Sequence, residues 1–323
     1  MRIDEKFIEI KDEDKYYDRL EYFVCDSGKK GPKVFITSGA HGEEIGGMFV
    51  VYRLFERLKE MPLHNGAVYA IPNMNPKGII RLSHRLVPSR EDLNRCFPGN
   101  PYGTIGKRIA NYIFKEILII KPDFVFDLHN DWRFSMPYAI LEPDLGDLIN
   151  NEAYKISEEK IYSTGLLVVR EKEKIKGSLS LSLLEADISS ATLELGESYV
   201  VNHNNVEYGV KSILNFLTDM RMINAKEKIR YVSNEVMSLK KSRTICNYYD
   251  FPHTKEDGIL EHLVEPGEKV KIGQEIACLS GKFGKVVSSF SAEREGIVLS
   301  RRGDSAIRKG SPVMAFGVYS KKG

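Results

Sequence analysis

No apolar run in this 323-residue sequence approaches the roughly 18 residues that a membrane-spanning helix needs. The opening segment, MRIDEKFIEIKDEDKYYDRLEYF, alternates charged and apolar side chains and has no hydrophobic stretch of the kind a signal peptide carries. Cysteine is scarce: Cys25, Cys96, Cys246 and Cys278 fall at no CxxC or framework spacing, which argues against a disulfide scaffold. An excess of charge of one sign is also missing, since 47 Lys and Arg against 45 Asp and Glu leave a net charge of +2. That balance lacks the basic footprint of a nucleic-acid binder. Neither a GxSxG nucleophile motif nor a glycine-rich phosphate loop occurs. The expectation is a cytoplasmic, thiol-reduced enzyme with no nucleic-acid and no membrane partner. A homo-oligomer is compatible with all of this.

What is present is ordinary globular composition, 42% hydrophobic and 28% charged, which excludes global disorder. At about 150 residues per domain the length suggests roughly two domains. Residues 34–39 (VFITSG), 67–73 (AVYAIPN), 123–129 (DFVFDLH), 138–141, 166–170 and 191–196 (ATLELG) have the β-rich character of strands. Helical spacing runs through 44–60 and 105–119, and helices are expected near 145–160, 178–188 and 204–220. Strands alternating with helices predict an α/β domain, with a mostly parallel or mixed sheet flanked by helices, over residues 1–225. Ligands of such sheets gather beyond the carboxyl ends of strands.

After residue 225 the pattern changes. MRMINAKEKIRY (220–231) is a charged connector, and the chain beyond it has almost no helical periodicity. A weak repeat links Gly258, Gly267 and Gly273 to Gly296, Gly303 and Gly310, at offsets of 38, 36 and 37 residues. Two such β-units predict a smaller all-β barrel-sandwich domain over 226–323.

His41 and Glu44 sit where the first strand meets the next helix, and residues three apart on a helical turn share a face. Spacing alone is weak. Seven histidines and 45 acids in 323 residues make about one His-x-x-acid match by chance, and His253/Glu256 and His262/Glu265 match as well, reading as surface pairs in the β-rich tail. Position favours the first pair, because His129 ends another strand and completes a His2Glu set, the ligand set of catalytic zinc sites with one open position. Asp127, two residues before His129 on the same strand face, is placed to orient an imidazole. Glu194, inside the apolar run ATLELGE, is the candidate general base, with Glu197 as its competitor and an ion-paired structural carboxylate as the plain alternative. In DLNRCFPG (92–99), Asn94 and Arg95 follow Arg81, Arg85 and Arg90, and arginine's planar fork suits a substrate carboxylate.

The ordered motifs GAHGEE, NPKG, DLNRCFPG, DLH and LELG resemble the succinylglutamate desuccinylase/aspartoacylase family of zinc carboxypeptidase-like hydrolases, over roughly residues 33–220. The resemblance implies one Zn2+ per chain on His41, Glu44 and His129, with Glu194 as general base. It also implies that Asn94 and Arg95 hold the substrate carboxylate, and that Arg85 polarises the scissile carbonyl. Many relatives carry Asp-Gly ahead of DLNR; here Ser89-Arg90-Glu91 stands instead. Separately, EHLVEPGEKVKIGQEIACL (261–279) resembles lipoyl and biotinyl modules, but the hairpin around Lys282 lacks their modified-lysine setting. A structural cap over the cleft is therefore expected rather than a carrier.

These readings predict a zinc-dependent amidohydrolase acting on a small N-acylated, carboxylate-bearing substrate. A zinc carboxypeptidase acting on short peptides is the rival of like chemistry. A non-catalytic carrier built on the lipoyl-like tail is the rival of another class.

Overall fold

Runs of β-branched and aromatic residues, bounded by short polar turns, make the central strands of a computed structural model that describes residues 2–10, 19–132, 134–224, 234–281, 284–303 and 305–319. Four of them, β3 (Lys33–Ser38), β4 (Ala67–Ile71), β5 (Phe124–Asp131) and β9 (Ser190–Glu197), lie parallel in the order β4-β3-β5-β9. On one side β2 (Arg19–Asp26) and β1 (Arg2–Glu9) extend the sheet antiparallel. On the other, β7 (Pro137–Leu141) runs antiparallel to β9 and carries β8 (Leu167–Arg170) parallel to itself. The sheet is thus mixed, as the alternating pattern predicts.

Helices cover both faces. α1 (Gly46–Glu60) buries Val50, Val51, Leu54 and Leu58, and α6 (His203–Asp219) buries Val206, Val210, Ile213 and Leu217, against Ile36, Phe126 and Leu193. On the opposite face α3 (Ile105–Ile120) and α5 (Leu179–Glu185) pack Ile109, Ile113 and Leu183 on Phe35 and Val125. α4 (Glu152–Ile161) and the short α2 (Pro76–Arg81) complete this part. Asn75 caps α2 by accepting from the Gly78 amide at 2.9 Å, with Pro76 at the first helical position. Phe216 is fully buried, its ring centroid 4.6 Å and 4.7 Å from those of Phe124 and Phe126. Phe216→Ala is expected to cost about 3–5 kcal/mol of unfolding free energy, read as a lower denaturant midpoint.

The sheet does not stop near residue 225. β10 (Ile245–His253) pairs parallel with β8, and β17 (Pro312–Val318), β15 (Gly296–Arg301) and β12 (Lys269–Val270) follow antiparallel. The short β6 (Phe134–Ser135) pairs with β15. A second sheet, β14 (Val286–Ser291), β13 (Glu275–Ser280), β11 (Gly258–His262) and β16 (Ala306–Ile307), packs on it through Leu260, Ile276, Val298 and Phe316. The glycine repeat has a structural counterpart: β11-β12-β13 corresponds to β15-β16-β17. Each unit lends its short middle strand to the other's first strand, β12 to β15 and β16 to β11. Gly273 and Gly310 both hold left-handed φ, +79° and +82°, two residues before the third strand of their unit.

Two expectations need correction. α7 (Asn234–Lys241) is a helix in the stretch read as lacking helical periodicity; its eight residues give too short a window for periodicity, and it is held by packing Val236 and Leu239 beside Leu167 and Val169. His262 and Glu265 do not pair: the His262 ring bonds the Val313 carbonyl at 3.2 Å, and Glu265 takes both prongs of Arg301 at 2.8 Å and 3.0 Å. Connector residues 225–231 and Lys282 lie outside the described residues. Among the described residues, no helix is long and apolar enough to cross a membrane.

Candidate metal centre

The chain leaves β3 to one side to form β4 and returns on the other side as β5, so a crevice opens beyond the carboxyl ends of β3 and β5. The segment after β3 is a tight turn rather than the first turn of α1, which starts only at Gly46. The turn is set by close approach: a Cβ on Gly42 would stand 2.1 Å from the Gly78 carbonyl carbon. His41 and Glu44 still meet, through the turn bond from the Glu44 amide to the His41 carbonyl at 3.3 Å.

Both imidazoles converge on one carboxylate. His41 Nδ1 is 2.7 Å from Glu44 Oε1, and His129 Nδ1 is 2.8 Å from Glu44 Oε2. All three side chains are buried, and their potential ligand atoms lie within 4.8 Å of one another. The far nitrogens are also held by carboxylates: His129 Nε2 is 2.9 Å from Asp127 Oδ2, and His41 Nε2 is 3.2 Å from Asp92 Oδ1. Thr37 Oγ1 donates to Asp127 Oδ1 at 2.7 Å, and the Asn130 amide donates to Glu44 Oε2 at 3.2 Å.

The donor set fits a divalent cation. Burial favours neutral imidazole at both histidines, yet the carboxylates around them outweigh it, Asp127 and Glu44 at His129 and Glu44 and Asp92 at His41, so both pKa values are raised. Burial likewise works against the charged form of Glu44, but His41 and His129 hold its carboxyl well below the usual range. A buried carboxylate bonded by two imidazoles, each backed by a further carboxylate, needs positive charge at its centre. Protons on both rings supply it, and a divalent ion held by His41, Glu44 and His129 would supply it as well.

A cavity of about 600 Å³ opens over this cluster, with Asn94, Arg95 and Glu194 in its lining. Glu194 stands opposite His129 in the β5–β9 register. Its Oε2 is buried with no hydrogen-bond partner, and burial, reinforced by Asp131, pushes its carboxyl well above the ordinary range. Glu197, the competing base, faces elsewhere. Gly196 takes φ +86° between the two glutamates, and Glu197 accepts from Asn202 at 3.2 Å and Asn205 at 2.5 Å. Asn94 Nδ2 reaches to 3.4 Å from His129 Nε2, and its Oδ1 accepts from the Leu179 amide at 2.9 Å.

Arg85 is not brought to the cavity. Its guanidinium donates to the Arg90 carbonyl at 3.1 Å across a turn closed by the Leu86 and Arg90 amides, and the residue is exposed. Its neighbour His84 is there instead, stacked on His41 with ring centroids 3.8 Å apart and 15° between planes. Asp92, whose Oδ2 stands 3.7 Å from Nε2, and Glu43, bonded to Nδ1 at 2.7 Å, push the His84 pKa up to about 9. Sequence reasoning missed His84, whose loop carries no local signal. It also missed Asp92 as the partner of His41, although the logic that found Asp127 applies to the first residue of DLNR.

Comparison with known proteins places this geometry. The Succinylglutamate desuccinylase/Aspartoacylase catalytic domain family matches residues 30–220. The N-alpha-acetyl-L-2,4-diaminobutyric acid deacetylase of Halomonas elongata is 23% identical over 286 residues, 88% of this chain and 81% of the relative. The product-bound structure of the ectoine utilization protein EutE (DoeB) from Ruegeria pomeroyi superposes with a TM-score of 0.80 at 20% identity, over 98% of this chain and 95% of that one. A metallo-carboxypeptidase from Burkholderia cenocepacia shares the fold more loosely, with a TM-score of 0.56 at 16% identity over 68% of this chain and 64% of its own. Motif order, fold and family match agree: the chain belongs to the succinylglutamate desuccinylase/aspartoacylase family.

Proposed function

We propose that the protein is a zinc-dependent amidohydrolase that removes the acyl group from an N-acyl amino acid or related N-acyl amine. Residues 1–225 carry the chemistry in this reading, and 226–323 form a lipoyl-like cap that narrows the cleft. One observation carries it: the His41–Glu44–His129 cluster and the free oxygen of Glu194 share one cavity. The deacetylase named among the relatives supports the same chemistry.

One zinc ion per chain on His41, Glu44 and His129 would supply Lewis acidity, polarising the scissile carbonyl and acidifying water beside it. Asp92 and Asp127 hold the two imidazoles so that Nδ1 of each faces inward. Glu194 takes a proton from the attacking water through its free oxygen and delivers it to the leaving nitrogen. A carboxyl raised by burial suits both halves of that task. Asn94 and Arg95 hold the substrate carboxylate. For Arg85 to polarise the carbonyl, its guanidinium must leave the Arg90 carbonyl and turn inward; His84 is the cation already in place.

Arg302 and Gly303, from the tail, form part of the cavity wall. A wall there favours a small acyl group over a peptide. Short N-acyl amino acids are expected to be hydrolysed about a hundredfold or more faster, in kcat/KM, than tripeptides with the same terminal residue. Equal or faster tripeptide cleavage would reject the deacylase in favour of the carboxypeptidase.

A further inference from the structure

The cavity continues across the sheet beyond Glu194, and there it carries acidic charge that the hydrolysis does not use. Glu142 and Glu171 directly follow β7 and β8, which are adjacent parallel strands; the Glu171 amide bonds the Leu141 carbonyl at 2.9 Å. Both side chains line the cavity. Glu142 is only 6% exposed, and its Oε2 is buried with no hydrogen-bond partner, while Oε1 accepts from Ser178 Oγ at a long 3.5 Å. The nearest basic side chains in sequence are committed elsewhere. Arg170 pairs with Asp144 at 2.9 Å and Glu158 at 3.1 Å, and Lys172 lies 3.4 Å over the Tyr249 ring. A nearly buried carboxylate with a free oxygen, beside a second carboxylate, is costly unless a cation completes it.

We propose that Glu142 and Glu171 form a subsite for a positively charged amino group, so that the substrate is an N-acyl amino acid whose side chain ends in a primary amine. The bond that is cut rests on the deacylase reading above; the ammonium subsite does not. Strand order places it. His129 stands opposite Glu194, and Glu194 opposite Tyr138. Glu142, four residues beyond Tyr138, therefore lies two strand spacings (about 10 Å) across the sheet and about 13 Å along it from His129, and a glutamate side chain reaches back over part of that span. An amine-bearing side chain covers the remainder. Ser178 and Thr192 add polar wall, and Ile140 and Ile175 give the methylene chain an apolar one. Burial, with Glu171 close by, pushes the Glu142 carboxyl up to about 7, and burial raises Glu171 to about 7 as well. An ammonium group entering between them draws both to the ionised form.

The test uses zinc-loaded full-length protein and two pairs of amino acids that exchange an ammonium for a methyl group: 2,4-diaminobutyrate with norvaline, and ornithine with norleucine. Calorimetry reads their binding, and kcat/KM is measured for their Nα-acetyl derivatives. In at least one pair the ammonium member should bind tenfold or more tighter. In Glu142→Gln, and in the more exposed Glu171→Gln, that ratio should fall to about threefold or less. Equal binding within both pairs, binding of neither member, or variants that weaken both members alike would overturn the subsite, the last by marking the glutamates as structural. If binding discriminates as expected but no acetylated compound is hydrolysed, the subsite stands and the deacylase reading falls. Hydrolysis without discrimination has the opposite meaning.

Discussion

Glu194→Gln is expected to lower kcat by about two to four orders of magnitude while leaving metal content at the parent level. Glutamine keeps the volume and the polar end of the side chain, so the β5–β9 register and the cavity wall have no reason to move. What it removes is the ability to accept a proton. Glu194 Oε2 has no hydrogen-bond partner and sits in the same cavity as His41, Glu44 and His129, so in the proposed mechanism an attacking water would meet this carboxylate as its base. Glu197 cannot take over, being bonded to Asn202 and Asn205 on the far side of Gly196. KM should change far less than kcat, since the loss falls on proton transfer rather than on holding the substrate. A variant with near-parental kcat would remove Glu194 from the mechanism.

His129→Ala is expected to take bound zinc from about one per chain to near zero, measured by elemental analysis after dialysis against a weak chelator. The substitution deletes one donor and also leaves Asp127 and Glu44 buried without the imidazole that bridges them. The parent is expected to melt higher with zinc and the variant to lose that rise, because only a folded state that binds metal gains from it. Asp127→Asn is the graded version, keeping all three donors but weakening the bond that orients His129. About 10- to 100-fold weaker zinc affinity is expected there. Undiminished zinc in His129→Ala would overturn the assignment.

The central strands and the three principal helices were legible because each buries one face, and burial writes a period into the residues. The outer strands β1 and β2 were not, since charged residues alternate along them and the same pattern suits an exposed segment. His41, Glu44, His129 and Asp127 could be singled out because they stand at strand ends or on one strand face. The turn that joins His41 to Glu44 could not, because it depends on Gly42 resting on Gly78, which is distant in the chain.

By itself the sequence determined the α/β alternation, the candidate metal and base residues, the doubled β-unit of the tail and, through ordered motifs, the family. These are local patterns, or short motifs whose order survives without coordinates. Only the tertiary structure decided that Glu194 rather than Glu197 faces the cluster, that Asp92 backs His41, and that His84 rather than Arg85 stands in the cavity. It alone brought Glu142 and Glu171 together at the far end. Each of those outcomes depends on strand order and on the direction of one side chain, and both are settled by packing between segments that lie far apart in the sequence.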